Sequence, residues 1–559
     1  MNINKRIISS FLCLVILCLS GCGKNNNTTS TPAPDSGTAS SVPTALSLFY
    51  NAKDSLNPYA VSSEHNHKLQ TLLYDPLIKI NPAFQPESVI AESVDLKGKT
   101  CTVFLKNITF SDGSALTASD IVYSIKLAKA STLNYAEQLA NIKTYTATDA
   151  KTVSITLNHH DPYFINMLTF PIIKAESEKR TDENKIVLPP IGSGRYVYNR
   201  ETATLTANPT HINGLAPIST ITLVDAPDRE VLDFNLESDN VDIYNSDLTD
   251  GKMPSMNGTV SATTLNNLVF LGMNLDSTRL KAPEMRYALA YAVDRSQICA
   301  KAYHSYALPA TGLFSPLWED AKGVQNLPST ANLQNSIANL EDLGYNNKDN
   351  EGYLLNSKGK RVTLSLICNE ENDRRIAAAE LIKTQFSAIG ITVNVKVLPW
   401  NDYINALTYG NFDLYIAEVS FFNNMDVSEL VTSAGSLSYG IPEIIDENTV
   451  AKPDQPTAGS NATESTAGTK EDGTADQVPG DAIEPEDEYI INKTLDDAVD
   501  SFYNGDASIV DVINAFNAEM PIIPICYRSG ITVLSTELEN NSISSVTDVY
   551  YGITNTKLK

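Results

Sequence analysis

Residues 361–397 read RVTLSLICNEENDRRIAAAELIKTQFSAIGITVNVKV. Apolar side chains alternate over 361–367, recur at helical spacing over 373–389 and alternate again over 391–397, so the stretch reads as a β-α-β unit. Such a unit belongs to a larger sheet, and the rest of the chain supplies strands for one. They are expected at 46–50, 100–105, 153–157, 196–198, 203–207 and 221–224. Helices are expected at 64–74, at 117–128 behind Thr117-Ala118-Ser119-Asp120, along 282–302, and at 400–409 with Asn401 or Asp402 as its cap. Strands interleaved with helices define an α/β protein.

The chain has 559 residues, with 41 Lys+Arg against 66 Asp+Glu and a formal charge of −25. Its length predicts two or three domains. With 42% hydrophobic and 19% charged residues it can build a packed core, which excludes wholesale disorder. The acid excess argues against a nucleic-acid binder, because a phosphate backbone demands a basic face. Of the seven cysteines, Cys13, Cys18 and Cys22 fall in the N-terminal apolar stretch or at its end. Cys101, Cys299, Cys368 and Cys526 are scattered without CxxC spacing, so neither a structural zinc site nor a disulfide scaffold is expected.

Two segments lie outside the α/β pattern. Lys5 and Arg6 precede an apolar run over 7–19, too short at about 1.5 Å per residue to cross a hydrocarbon core of about 30 Å. It reads as a signal peptide, residues 1–21, and Leu19-Ser20-Gly21-Cys22 looks like a bacterial lipobox that makes Cys22 the lipidated N-terminus. Residues 22–43, rich in Asn, Thr, Ser, Pro and Gly, read as a flexible linker. The second segment, 441–488, carries 13 acidic residues, two lysines and five prolines and no aromatic residue. It reads as a disordered acidic insertion within a domain.

Catalytic signatures are missing: the chain has no G-x-S-x-G, no H-E-x-x-H, no P-loop and no G-x-G-x-x-G, and it is read as a non-enzyme without cofactor. Metal ligation fares no better. On a helix His65 and His67 point to different faces, and His159-His160 is read as a surface pair. The stretch 347–352 echoes a calcium loop, but the twelfth position is Lys358 where a bidentate Glu is needed, so a hairpin turn is expected.

Several blocks, in chain order, resemble the extracytoplasmic solute-binding proteins of the peptide/nickel class, family 5. They are Leu56-Asn57-Pro58-Tyr59 with Leu73-Tyr74-Asp75-Pro76-Leu77-Ile78, and Phe110-Ser111-Asp112-Gly113 with Leu116-Thr117-Ala118-Ser119-Asp120. Ile191-Gly192-Ser193-Gly194-Arg195-Tyr196 follows, with Arg195 where proline is common, then Met285-Arg286-Tyr287-Ala288-Leu289, Ala292-Val293-Asp294-Arg295 and Gly410-Asn411-Phe412-Asp413-Leu414. The resemblance implies a two-lobed periplasmic-binding-protein-like fold with an extra subdomain on the first lobe. The first lobe would hold 44–268, with 58–188 as the extra subdomain; the second would hold 269–519, and 520–559 would return to the first. It also implies a monomeric receptor of an ABC importer. That receptor would be tethered by lipid outside the bacterial cell membrane and would pass a peptide or peptide-like solute to a membrane permease. A metal chelate or other small solute is the alternative, favoured if His67 and Glu418 face the cleft; a peptide-sensing lipoprotein is another.

For ligand contacts the resemblance nominates His65, Asn66 and His67 before Tyr74, and Trp400 and Tyr403 on the second lobe. Peptide-binding relatives often place a tryptophan and then an aspartate after the block ending at Leu414, and that aspartate pairs with the peptide's α-ammonium. This chain has Glu418, Phe421, Phe422, Asn423 and Asp426 there, and Phe422 stands near the expected aspartate. Glu418 or Asp426 is the available carboxylate, Asp426 equally a helix cap. Arg528 is a candidate partner for a ligand carboxylate through its planar fork.

Overall fold

The structure, a computed structural model, describes residues 41–133, 135–249, 251–444, 490–540 and 543–559. The signal segment 1–21, Cys22, the linker as far as 40 and the acidic insertion from 445 to 488 lie outside the described residues.

Each of three larger sheets sits over its own apolar core. In the first, Ala45–Tyr50 runs parallel to Thr220–Asp225, and Thr204–Ala207 and Tyr196–Asn199 complete it antiparallel. Its core includes Leu48, Leu69, Tyr196 and Leu223, and the late residues Leu538, Ile543 and Tyr550 pack into it. The second sheet is antiparallel, in the order Ala91–Lys97, Thr100–Leu105, Thr152–Leu157, Ile142–Ala147, with helix Ala118–Ala130 against it. Val103, Ile121, Ile125, Val153 and Phe164 fill the space between. This is the extra subdomain.

The third sheet orders Ile243–Ser246, Ile522–Leu534, Thr259–Met273, Leu414–Ser420, Thr363–Asn369 and Thr392–Leu398. The β-α-β unit at 361–397 forms its far edge: Thr363–Asn369 and Thr392–Leu398 are parallel, joined by helix Asp373–Ser387, which Asn372 caps by accepting from Arg375 N at 3.0 Å. The long strands Thr259–Met273 and Ile522–Leu534 pair with each other; at one end Ile522–Leu534 also pairs with Ile243–Ser246, and at the other both strands enter the second-lobe core. Their register breaks between Thr264 and Leu268 and again between Val269 and Phe270. Bulges of this kind bend and twist a strand pair as it passes between lobes.

Local chemistry explains where elements begin and end. Asp120 Oδ2 accepts from Thr117 N at 2.9 Å, closing the expected cap. The run 282–302 is two helices, Pro283–Ala292 and Arg295–Lys301, because Asp294 accepts from Gln297 N at 2.8 Å and starts a second helix there. The helix at 400 spans Trp400–Thr408, and neither Asn401 nor Asp402 caps it. Pro399 holds that position, and Trp400 N donates instead to Glu371 Oε1 at 2.9 Å. The stretch at 347–352 is a turn in which Arg361 pairs with Asp349 at 2.6 Å and with Glu351 at 2.5 Å. The four cysteines of the body are free and buried. Among the described residues no helix is long and apolar enough to cross a membrane.

Candidate functional site

Helix Glu64–Leu73 is the first wall of the site. Ser63 caps it, and Gly192-Ser193-Gly194 packs on its far end, where Gly194 N donates to Leu73 O at 3.1 Å. A Cβ on Gly194 would lie 2.4 Å from the Leu73 carbonyl carbon, so the turn must be glycine to lie this close. Glu64, His67, Lys68 and Thr71 recur at helical spacing and line a cavity of about 610 Å³. Tyr135 and Gln138 of the extra subdomain, Asp247, and Thr547 and Asp548 of the C-terminal return line it too. The second lobe contributes Ser420, Phe422 and Asn423 at the end of strand Leu414–Ser420.

Most charges in this cavity already have partners. Lys79 pairs with Asp548 at 3.0 Å, and Lys68 bridges Glu64 at 2.5 Å and the Asn245 carbonyl at 2.7 Å. The Asp247 carboxyl lies below its usual range. Burial opposes this, but hydrogen bonds from Thr249 N and Oγ1 and the nearby Arg528 and Lys68 charges prevail. Gln70 donates to Asn66 O at 2.8 Å, while its side-chain carbonyl oxygen is buried with no partner. The walls therefore offer hydrogen-bonding groups and aromatic faces: the His67 ring stacks on Tyr135 at 6.3 Å, and Phe422 packs against the subdomain core.

The structure sorts the residues named from the sequence. His67, Phe422 and Asn423 come together in this cavity. Phe421, Phe422 and Asp426 line a second cavity, also about 610 Å³. Asp426 additionally accepts from Ser428 N at 2.9 Å and Oγ at 2.7 Å, a helix-start role for Ser428–Val431.

Six of the nominated residues line neither cavity. His65 turns away from the cavity, its ring 5.5 Å from Phe49. Asn66 is 0% exposed, and its amide binds the 51–55 loop through Asn51 N and the carbonyls of Asn51, Asp54 and Ser55. Tyr403 is buried and donates to Ile416 O at 2.9 Å. Trp400 is 50% exposed beside Tyr403 and lines neither cavity. Glu418 and Arg528 satisfy each other: Arg528 Nε donates to Glu418 Oε1 at 2.7 Å, and Arg375 approaches Oε2 at 3.5 Å. Arg528 also holds Thr249 Oγ1 at 3.2 Å and the Asp247 carbonyl, so it positions the loop carrying Asp247.

The sequence reading missed Lys68, Gln138, Tyr135 and Asp247. The i, i+3, i+4 face of helix 64–73 was a usable signal for Lys68; the other three had none.

His65 provides a pH test. Burial first, and then the Lys68 charge, lowers its pKa from the ordinary 6.5 to about 4. Between those values the unfolded chain binds more protons than the folded one, so this contribution to stability is complete above 6.5 and is lost as pH falls towards 4. Melting temperatures of the wild type and His65→Phe at pH 7.5 and 4.5 check this. The variant keeps the ring contact with Phe49 and should lose less stability on acidification.

Two long strands crossing between lobes, with a cavity of this size between them, define the class of two-lobed solute-binding proteins. The family model described as "Bacterial extracellular solute-binding proteins, family 5 Middle" matches residues 85–438, more than half of the chain, and the protein belongs to that family. Its members are non-catalytic solute-binding proteins, and this chain is one of them.

Among individual proteins it is similar to the oligopeptide-binding protein AppA of Bacillus subtilis (strain 168). The two are 24% identical over 365 residues, covering 62% of this chain and 67% of AppA. The fold is like that of the unliganded open form of the periplasmic murein tripeptide binding protein MppA. The TM-score there is 0.68 at 17% identity, covering 93% of this chain and 99% of that one. It is also like that of a nickel ABC transporter structure from Bacillus halodurans, with a TM-score of 0.69 at 17% identity, covering 92% and 100%.

Proposed function

We propose that the protein captures a peptide or peptide-like solute in the cavity between helix 64–73 and residues 420–423 and delivers it to the permease. The observation that carries this reading is the make-up of the walls. Their charges are largely paired internally, while amide, hydroxyl and aromatic groups remain, among them the unpartnered Gln70 carbonyl. Such walls suit a backbone of alternating N–H and C=O groups. The name of AppA supports the same reading. The metal-chelate alternative called for His67 and Glu418 in the cleft together; His67 lines the cavity, but Glu418 is held by two arginines. A lipid anchor at Cys22 on the outer face of the cell membrane, and a monomeric state, complete the proposal and rest on the N-terminal sequence and the family resemblance.

The test is native mass spectrometry of the protein purified without denaturation. The expected result is a set of added masses matching short peptides. After the ligand is stripped, a peptide pool should restore thermal stability, by about 2.7 kcal/mol at 100 times Kd. A single metal-containing mass, or a bare protein with no thermal response to peptides, overturns it.

A further inference from the structure

The second cavity lies between the extra subdomain and the second lobe. Asn141, Asp161, Phe164 and Met167 of the subdomain face Phe421, Asp426 and Glu429 across it. Gln138, Ser420 and Phe422 line both cavities, so the two adjoin at these three side chains. Gln138 is held in place there, donating to Met167 O at 2.6 Å and Thr169 Oγ1 at 3.0 Å.

Contacts from subdomain to second lobe frame this second cavity. Asn424 Nδ2 donates to Asp161 Oδ2 at 2.9 Å, and Asn166 Nδ2 donates to Asn423 O at 3.0 Å. Beyond them the Tyr163 ring packs edge-on against Trp318 at 4.9 Å and lies over Phe502 at 6.3 Å. The subdomain is thus tied to the opposite lobe by polar and aromatic contacts and forms one wall of the space it encloses.

The two cavities differ in charge. In the first, lysines answer the carboxylates. Among the described residues, four carboxylates line the second, those of Glu137, Asp161, Asp426 and Glu429, no lysine or arginine does, and the one basic group on its wall is the His159 imidazole. Asp161 is 1% exposed, and its carboxylate accepts from two neutral donors, Tyr163 N at 2.9 Å and Asn424 Nδ2 at 2.9 Å. Burial, and secondarily the Asp426 charge, raises its pKa against the hydrogen bonds from Asn424 and Tyr163 N and the His159 charge. A buried carboxylate without a countercharge is costly, and a ligand cation relieves that cost.

Resting on the peptide reading above, we propose that the solute site has a second chamber, walled by the extra subdomain. It takes a lysine or arginine side chain of a peptide long enough to pass Gln138 and Phe422. A drug-sized ligand fills a site of about 300–1,000 Å³, so two adjoining cavities of about 610 Å³ each suit a longer ligand than either would alone.

Isothermal titration of the purified protein with pentaalanine, and with pentapeptides carrying one Lys or one Glu at each position in turn, tests this. The expected result is that Lys at one position tightens binding about tenfold over alanine, and Glu there weakens it. The Lys-to-Ala ratio should fall to about twofold or less in Glu137→Gln/Glu429→Gln, with a circular-dichroism melt to show that the variant folds. Asp161→Asn, which keeps an acceptor for Tyr163 N, should reduce the same ratio. Pentapeptides that bind without a Lys preference, or with one that survives both variants, overturn the second chamber and leave the peptide receptor standing. If no peptide binds, both fall.

Discussion

Replacing Arg286 with alanine is expected to lower the unfolding free energy by about 3–5 kcal/mol, the cost of breaking a buried ion pair from one side. Arg286 is 0% exposed on helix Pro283–Ala292. Its Nε donates to Glu519 O at 2.8 Å, and its NH1 donates to Leu280 O at 3.1 Å and Lys281 O at 2.6 Å. Its NH2 lies 3.6 Å from Glu519 Oε2. Helix Ile509–Glu519 ends at Glu519, and Met520, in the left-handed region, turns the chain into the crossing strand Ile522–Leu534. One guanidinium therefore fastens the start of the return to the first lobe. Alanine would strand three carbonyls and leave the buried Glu519 carboxylate facing an unfilled space. Urea unfolding checks the magnitude. Arg286→Met/Glu519→Gln separates the charge effect from the packing effect: it removes both charges and restores volume, so it should recover part of the loss.

The outer design of this protein was readable from local signals. The strands Ala45–Tyr50, Thr100–Leu105 and Thr152–Leu157 and the unit around 361–397 follow from alternation and helical spacing, which report a residue's own neighbours. The same rule separated His65 from His67, since i and i+2 lie on different faces, and only His67 reaches the cavity. Contacts between distant segments were not readable. Lys79 and Asp548 are 469 positions apart. Tyr135 and Gln138 sit on a four-residue helix, too short to show a period. Asp247 follows the edge strand Ile243–Ser246 in a loop that no pattern marks. Asp294 and Arg295 stood in the sequence only as the end of a block of the resemblance. In the fold Asp294 caps a helix, and Arg295 donates to the carbonyls of Pro524, Ala290, Val293 and Pro328, a role that depends on where the crossing strand passes.

Glu418→Gln is expected to cost about 3–5 kcal/mol of stability, because Glu418 is the carboxylate between two arginines. Its Oε1 accepts from Arg528 Nε at 2.7 Å and Asn267 Nδ2 at 2.9 Å, and Arg375 NH2 lies 3.5 Å from Oε2. The side chains of Arg528 and Arg375 are only 4% and 16% exposed, so water screens their mutual repulsion poorly once the carboxylate is gone. The arginines lie 110 and 43 positions away along the chain, which is why the sequence offered Glu418 as an open clamp for a ligand ammonium. The two roles make opposite predictions. A clamp residue would lose ligand affinity at unchanged stability of the empty protein; a structural carboxylate loses stability with the cavity empty. A double-mutant cycle over Glu418→Gln and Arg528→Met, read by urea unfolding of ligand-free protein, decides between them. If the pair is structural, the double variant should be more stable than Glu418→Gln alone, since it removes the stranded guanidinium along with its partner. Arg528 also holds the Asp247 carbonyl and Thr249 Oγ1, so the double variant should still bind solute more weakly than wild type, through a loosened 247–249 loop.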